Sequence, residues 1–121
     1  MNLEQLKDQF SHAVAASFRQ SYAEQYAVIG DTGAFNADEV RSCLEKPKDA
    51  RMGRFAFPVF PYLRLLRQKP NDVTSRVADA ANRMLAQDSQ SGLVISADGG
   101  YLNAKVDQVS QIRLTLSEVL L

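Results

Sequence analysis

The chain has 121 residues, and its 45% hydrophobic content predicts one globular domain that extends over residues 1–121. Its 14 Lys and Arg residues balance its 14 Asp and Glu residues, so no overall charge draws it toward nucleic acid or a membrane surface. The single cysteine, Cys43, excludes an internal disulfide. We find no secretory signal and no apolar run near the roughly 20 residues of a membrane helix, and we therefore expect a soluble, cytoplasmic protein with no membrane partner.

Charged residues are unevenly distributed along the chain. Residues 41–69 contain eight basic and two acidic residues, a local net charge of +6. Residues 1–40 contain two basic and six acidic residues, and residues 70–121 contain four basic and six acidic residues. A zero total therefore conceals a basic middle segment between two acidic ones.

The first 45 residues predict a helix, a loop and a strand. Apolar residues recur every three or four positions over residues 2–22, which predicts an amphipathic helix with one buried face. Residues 26–38 are rich in Gly, Asp and Asn, a composition typical of a loop. Between residues 40 and 45 apolar and polar residues alternate, which predicts a strand with one inward face.

A basic loop follows the predicted strand. Exposed cations in such a loop can contact phosphates, and binding of that kind weakens steeply as salt is added. A solvated loop without a ligand is the alternative for this segment taken alone. The candidate phosphate contacts within residues 46–54 are Lys46, Lys48, Arg51 and Arg54.

Further helices are expected after this loop. Residues 61–69 predict a short helix, and Pro70 suits the first position of the next one. Asp107 is a plausible N-cap for a last helix. The helix that begins at Pro70 has a regular apolar stripe formed by Val73, Val77, Ala80, Ala81, Met84 and Leu85.

A β-hairpin is predicted before the last helix. An apolar run at residues 93–95 is followed by the pair Asp98-Gly99, which favours a tight turn. The return strand then alternates between two faces. The core-facing set is Leu102, Ala104 and Val106, and the opposite set is Tyr101, Asn103 and Lys105.

The second set offers the chemistry needed to hold an unstacked nucleotide. An aromatic ring can stack on a base, an amide can read a base edge, and an ammonium group can meet a phosphate. Lys105 is therefore a further candidate phosphate contact. The alternative is an ordinary sheet with one solvated face.

Helices and an antiparallel hairpin in this order predict an α+β fold, in which about four helices cover a small antiparallel β-sheet. The only histidine, His12, has no nucleophile in its pattern, and Cys43 suits a packed position. No His or Cys cluster has metal-ligand spacing. We therefore assign no catalytic residue, no metal site and no cofactor to this chain.

The whole chain resembles the N-terminal additional domain of arginyl-tRNA synthetases, which precedes the catalytic domain in those enzymes. The resemblance rests on the predicted strand at residues 40–45, the loop Gly53–Pro58 and the helix start Pro70–Val73. Its most specific part is the turn Gly99–Asn103.

The resemblance implies that this domain binds the outer corner of arginine tRNA, where the turn and the strand recognise a nucleotide of the D-loop. Carried onto this sequence, base recognition falls to Asp98, Tyr101 and Asn103. Two positions depart from the family's pattern, because Arg54 stands where the family has Asp and Gly99 stands where it has Pro.

The resemblance also implies two partners, tRNA and the catalytic domain of a longer parent, an ATP-dependent arginine–tRNA ligase. The ATP signature of such enzymes contains paired histidines, and a chain with His12 alone cannot supply it. We therefore expect a domain excised from a longer chain, without aminoacylation activity of its own. The alternative is a free-standing RNA-binding or protein-interaction module, in which exposed Tyr62 and Tyr101 contact a partner protein.

Overall fold

The structure is a computed structural model that describes residues 2–29, 35–47, 53–87 and 92–106. Within these ranges it confirms an α+β fold, with a three-stranded antiparallel sheet and five α-helices. The helix predicted after Asp107 lies outside the described residues. The elements are α1 (Leu3–Ser21), α2 (Ala23–Ile29), α3 (Ala37–Ser42), β1 (Phe55–Pro58), a 3-10 helix (Phe60–Tyr62), α4 (Leu63–Leu66), α5 (Pro70–Leu85), β2 (Leu93–Asp98) and β3 (Tyr101–Val106).

The two long helices follow the sequence pattern closely. Asn2 caps α1 and forms a reciprocal capping box with Gln5, and Pro70 occupies the first turn of α5. Both apolar faces are buried as predicted, and α5 packs against α1 and β2. No helix among the described residues has the length and the apolar character needed to cross a bilayer.

The sheet has the strand order β1-β3-β2, which places β3 at its centre. Strands β2 and β3 form the predicted hairpin, with Asp98 paired to Tyr101 across the two-residue turn. Gly99 has φ +59°, and a positive φ at the first turn position is what a type II′ turn requires. The turn chemistry therefore sets the register of both strands.

Aromatic side chains fill the core between the sheet and the helices. The ring of Phe10 on α1 meets Phe55 on β1 edge-on at 5.1 Å between centroids. Tyr62 is 3% exposed, and its hydroxyl donates a hydrogen bond of 2.6 Å to Glu39 Oε1. Burial, followed by the nearby Glu39, raises the pKa of Tyr62 well above its usual value. Tyr62 is therefore a core residue, and its expected exposure to a partner protein is wrong.

Three local predictions before residue 60 are also wrong. Residues 40–45 do not form a strand, because Asn36 caps a helix by accepting a hydrogen bond of 2.8 Å from the Asp38 N–H. In the expected loop 26–38, α2 continues to Ile29 and α3 begins at Ala37. The expected loop Gly53–Pro58 contains strand β1. Val40 is the buried residue of α3, and a run of only six alternating residues is compatible with a short helix as well as with a strand.

At the outer edge of β2, the side chain of Asn82 forms the hydrogen bonds that a neighbouring strand would otherwise form. The Asn82 amide on α5 donates to the Ile95 carbonyl at 2.8 Å and accepts from the Ile95 N–H at 2.8 Å. These backbone groups lie on an edge strand and otherwise need a partner. The side chain of Asn82 therefore fixes β2 to α5 and occupies part of an edge that could pair with another strand.

We expect Asn82→Ala to destabilise the domain by about 1–3 kcal/mol, because it removes two hydrogen bonds from a partly buried backbone unit. Chemical denaturation measures this loss, and hydrogen exchange should show a less protected Ile95 amide. Asn71→Ala, at an exposed position of the same helix, is the matched control and should change stability by no more than about 0.5 kcal/mol. Equal stability of the two variants would contradict this role of Asn82.

Candidate nucleic-acid interface

The two faces of β3 differ as the sequence predicts, with one exception. Leu102 and Ala104 are fully buried against the helices, Tyr101 is partly exposed on the opposite face and Lys105 is exposed there. Asn103 shares that opposite face but is only 3% exposed. The alternative of an ordinary sheet with one solvated face therefore does not hold at Asn103.

Asn103 lines a cavity of about 320 Å³ on the side of the sheet that faces away from the core. Its cross-strand neighbours are the small residues Ala56 on β1 and Ser96 on β2, which leave room above the middle of the sheet. Its side-chain amide has no hydrogen-bond partner among residues 2–29, 35–47, 53–87 and 92–106. We name this space the Asn103 cavity, and it is lined by Glu45, Lys46, Pro47, Ala56, Asp98, Gly99, Gly100, Tyr101 and Asn103.

The segment after α3 forms one wall of the Asn103 cavity. Glu45 pairs with Ala56 in a single antiparallel bridge, with hydrogen bonds of 2.9 Å and 2.8 Å in the two directions. This bridge holds the start of the basic loop beside the sheet and brings Lys46 and Pro47 to the cavity. This wall accounts for the burial of Asn103, because a strand face without it would be exposed to solvent.

Tyr101, which lines the cavity, has an aromatic neighbour that the sequence analysis missed. The Phe60 ring meets the Tyr101 ring edge-on, with centroids 5.5 Å apart and planes inclined at 78°. Phe60 is 48% exposed, although its side chain is large and apolar. Phe60 and Tyr101 are far apart in the sequence, and only the pairing of β1 with β3 brings them together. The only local sequence signal for this pair was Phe60 itself, an aromatic residue between Pro58 and Pro61.

The β2–β3 turn is held from two sides. The Gly100 carbonyl accepts a hydrogen bond of 2.9 Å from the Val59 N–H, and the Gly99 carbonyl accepts one of 2.8 Å from the Thr74 hydroxyl on α5. A Cβ atom on Gly100 would lie 2.3 Å from Phe60 Cζ, so the ring can occupy its place only because residue 100 is glycine. The turn, Phe60 and Tyr101 therefore form one fixed unit.

The structure brings together only part of the predicted site. Asp98, Tyr101 and Asn103 line one cavity with Lys46, whereas Arg54 and Lys105 do not line it. Arg54 faces a second groove beside α1. Lys48 and Arg51, the two remaining predicted phosphate contacts, lie outside the described residues.

The chemistry of the Asn103 cavity suits recognition better than catalysis. An amide has two donors and an acceptor for a ligand edge, and Tyr101 has a flat face for stacking. No group of three metal-ligating side chains is found in the part of the chain that the structure describes. Fold and cavity together define a small α+β domain with a recess lined by an amide and an aromatic ring.

Comparison with known proteins places this domain in a family. Residues 4–106 match the family model of the arginyl tRNA synthetase N terminal domain, and the chain belongs to that family. It is 34% identical over 82 residues to an arginine–tRNA ligase of Leuconostoc citreum, covering 68% of this chain. It is 26% identical over 112 residues to that of Oenococcus oeni, covering 93% of this chain. It is 29% identical over 103 residues to a probable cytoplasmic arginine–tRNA ligase of Dictyostelium discoideum, covering 85% of this chain.

These relatives are much longer than the chain. The matched segments are 14% of the Leuconostoc citreum protein, 17% of the Oenococcus oeni protein and 16% of the Dictyostelium discoideum protein. The matched segments are thus between about a seventh and a sixth of each ligase. The family membership predicted from the turn Gly99–Asn103 is confirmed.

We expect Gly100→Ala to force the Phe60 ring away from Tyr101 and to cost about 0.5–1.5 kcal/mol of stability, the value of the ring contact that is lost, because the added methyl group overlaps the ring. In a Phe60→Ala background the same change should cost much less, because the space is then empty. A double-mutant cycle monitored by chemical denaturation measures the difference. Additive costs would show that the ring does not occupy the space above Gly100.

Proposed function

We propose that this domain binds arginine tRNA at its outer corner and inserts one unpaired D-loop nucleotide into the Asn103 cavity. The observation that carries the proposal is a nearly buried amide, Asn103, beside the Tyr101 ring in a domain of the arginyl-tRNA synthetase N-terminal family. Single-stranded loops are the parts of RNA whose bases can be splayed out and read on their edges.

The side chains around the cavity have complementary roles in this proposal. Tyr101 stacks on the base, with its ring supported edge-on by Phe60. Asn103 hydrogen-bonds the base edge, and Asp98 accepts from an amino or hydroxyl group at the rim. Lys46 contacts a neighbouring phosphate. The base brings donors and acceptors for the Asn103 amide, which has no hydrogen-bond partner among the described residues.

The remaining predicted cations extend this contact. Arg54 and Lys105 would meet phosphates outside the cavity, together with Lys48 and Arg51 of the basic loop. Contacts of this kind hold the RNA without reading its sequence. They make the affinity dependent on salt even though the chain as a whole is neutral.

The domain acts in this proposal as the tRNA-binding part of a longer arginine–tRNA ligase. A separate catalytic domain would bind ATP and arginine and would attach the amino acid, while this domain orients the tRNA. The proposal is supported by relatives that are named arginine–tRNA ligases and are about six times as long as the matched segment.

A protein-interaction module is the rival function, and the burial of Tyr62 weakens it. Of the two aromatic residues that the rival requires, only Tyr101 remains partly exposed, now accompanied by Phe60. No other observation favours this rival over RNA binding. The experiment that follows distinguishes the two functions.

We expect Tyr101→Ala to weaken binding of an arginine tRNA transcript by roughly 1–3 kcal/mol, the value of one base–aromatic stack. Asn103→Ala should remove about 1–3 kcal/mol of discrimination between transcripts that differ at the recognised D-loop nucleotide. Filter-binding titrations measure both effects. Ser96→Ala, directly opposite Asn103 on β2, is the matched control and should bind as the unchanged chain does.

Stability measurements keep this test interpretable. Tyr101→Ala and Asn103→Ala should each cost less than about 1 kcal/mol, whereas Leu102→Ala in the core should cost about 2–5 kcal/mol. Stable variants with unchanged tRNA affinity and unchanged discrimination would refute the proposed recognition. If the unchanged chain ignores tRNA but binds a partner protein through Tyr101, the rival function replaces it.

A further inference from the structure

A second groove of about 230 Å³ lies next to the Asn103 cavity, between α1 and the start of β1. We name it the Lys7 groove. Its walls come from parts of the chain that are distant in sequence, namely the first turns of α1, the segment after α3 and the residues just before β1. The lining residues are Leu3, Lys7, Leu44, Glu45, Lys46, Arg54 and Phe55.

Cations outnumber carboxylates in this groove. Lys7, Lys46 and Arg54 carry three positive charges, and Glu45 is the one acidic residue among the lining residues that the structure describes. On α1, the carboxylate of Glu4 is bound by the guanidinium of Arg41 on α3 and is 3.9 Å from the Lys7 ammonium. Glu4 is therefore shared between two cations. Among the described lining residues cations therefore predominate, although residues 1–40 are acidic overall.

The Lys7 groove and the Asn103 cavity are adjacent. Glu45 and Lys46 line both of them. Glu45 is fixed by its two backbone hydrogen bonds to Ala56, so the boundary between the two spaces is rigid at its base. A strand that places one base in the cavity has neighbouring nucleotides, and the groove is the positively charged space next to that base.

We propose that the Lys7 groove binds phosphates of the RNA strand that flank the nucleotide in the Asn103 cavity, and that Lys7 on α1 is a direct phosphate contact. The proposal rests on the proposed function, and it assigns an RNA contact to the first helix, outside the basic middle segment. Lys46 lies between base and phosphate, while Lys7 and Arg54 form the outer end of the track. In this arrangement one face of α1 packs in the core and another face contacts the RNA.

The test compares tRNA binding by Lys7→Gln with that of Arg83→Gln, which removes an exposed cation from the last turn of α5. An exposed phosphate contact is worth about a two- to fivefold change in affinity, which is the loss we expect for Lys7→Gln. The slope of log affinity against log salt should fall by about 0.7 for the lost contact on single-stranded RNA. Lys7→Arg keeps the charge and should retain the slope of the unchanged chain.

The outcomes separate this inference from the proposed function. If Tyr101→Ala weakens tRNA binding but Lys7→Gln keeps the affinity and salt slope of Arg83→Gln, the Lys7 groove is not part of the interface and the cavity proposal stands. If Lys7→Gln lowers the slope and Lys7→Arg restores it, the inference holds. If the unchanged chain binds no arginine tRNA, both proposals fail together.

Discussion

The central strand β3 is paired along both of its edges, and this double pairing fixes Tyr101, Asn103 and Lys105, the side chains of β3 that the proposed interface uses. Asn103 lies between Ala56 of β1 and Ser96 of β2, so a shift of register by one residue would exchange it with a core position. The fully buried Leu102 and Ala104 prevent that shift, since moving them into solvent would lose their burial. The apolar core thus positions a polar group that is not itself part of the core.

Three contacts enclose the outer face of β3 and form the Asn103 cavity. The Glu45–Ala56 bridge raises a wall beside β1, and the Gly99 and Gly100 carbonyls tie the turn to α5 and to Val59. A binding group held by packed elements is already in place before the ligand arrives, and so less freedom is lost on binding. A bare hairpin has the same residues but none of these restraints. The helices therefore matter to the proposed recognition, because α5 holds the β2–β3 turn.

The long amphipathic helices and the hairpin could be predicted from sequence, because each has a local signal. The apolar period defines α1 and α5, Pro70 marks the start of α5, and the Asp98-Gly99 pair defines the turn. Residues 40–45 were misassigned because a short alternating run does not distinguish a helix from a strand, and the Asn36 cap decided the outcome. The β1 strand was missed for a different reason, since its partner β3 lies about 45 residues further along the chain.

The candidate site was predictable in composition but not in shape. Alternation along β3 placed Tyr101 and Asn103 on one face, and the structure confirms that placement. The burial of Asn103 depends on the Glu45 bridge, and the support of Tyr101 depends on Phe60. Both are contacts between segments that no local pattern joins. The Lys7 groove likewise combines an acidic segment with a basic one, so charge counted along the sequence could not reveal it.

The central claim is that the Asn103 amide is a preformed acceptor and donor for an RNA base, and side-chain amide NMR tests it directly. In a titration of the isotopically labelled chain with arginine tRNA, the Asn103 NH₂ resonances should shift and saturate with the binding curve. The Asn82 NH₂ resonances should stay in place, because that amide is committed to Ile95. Unmoved Asn103 resonances at saturating tRNA would contradict the account.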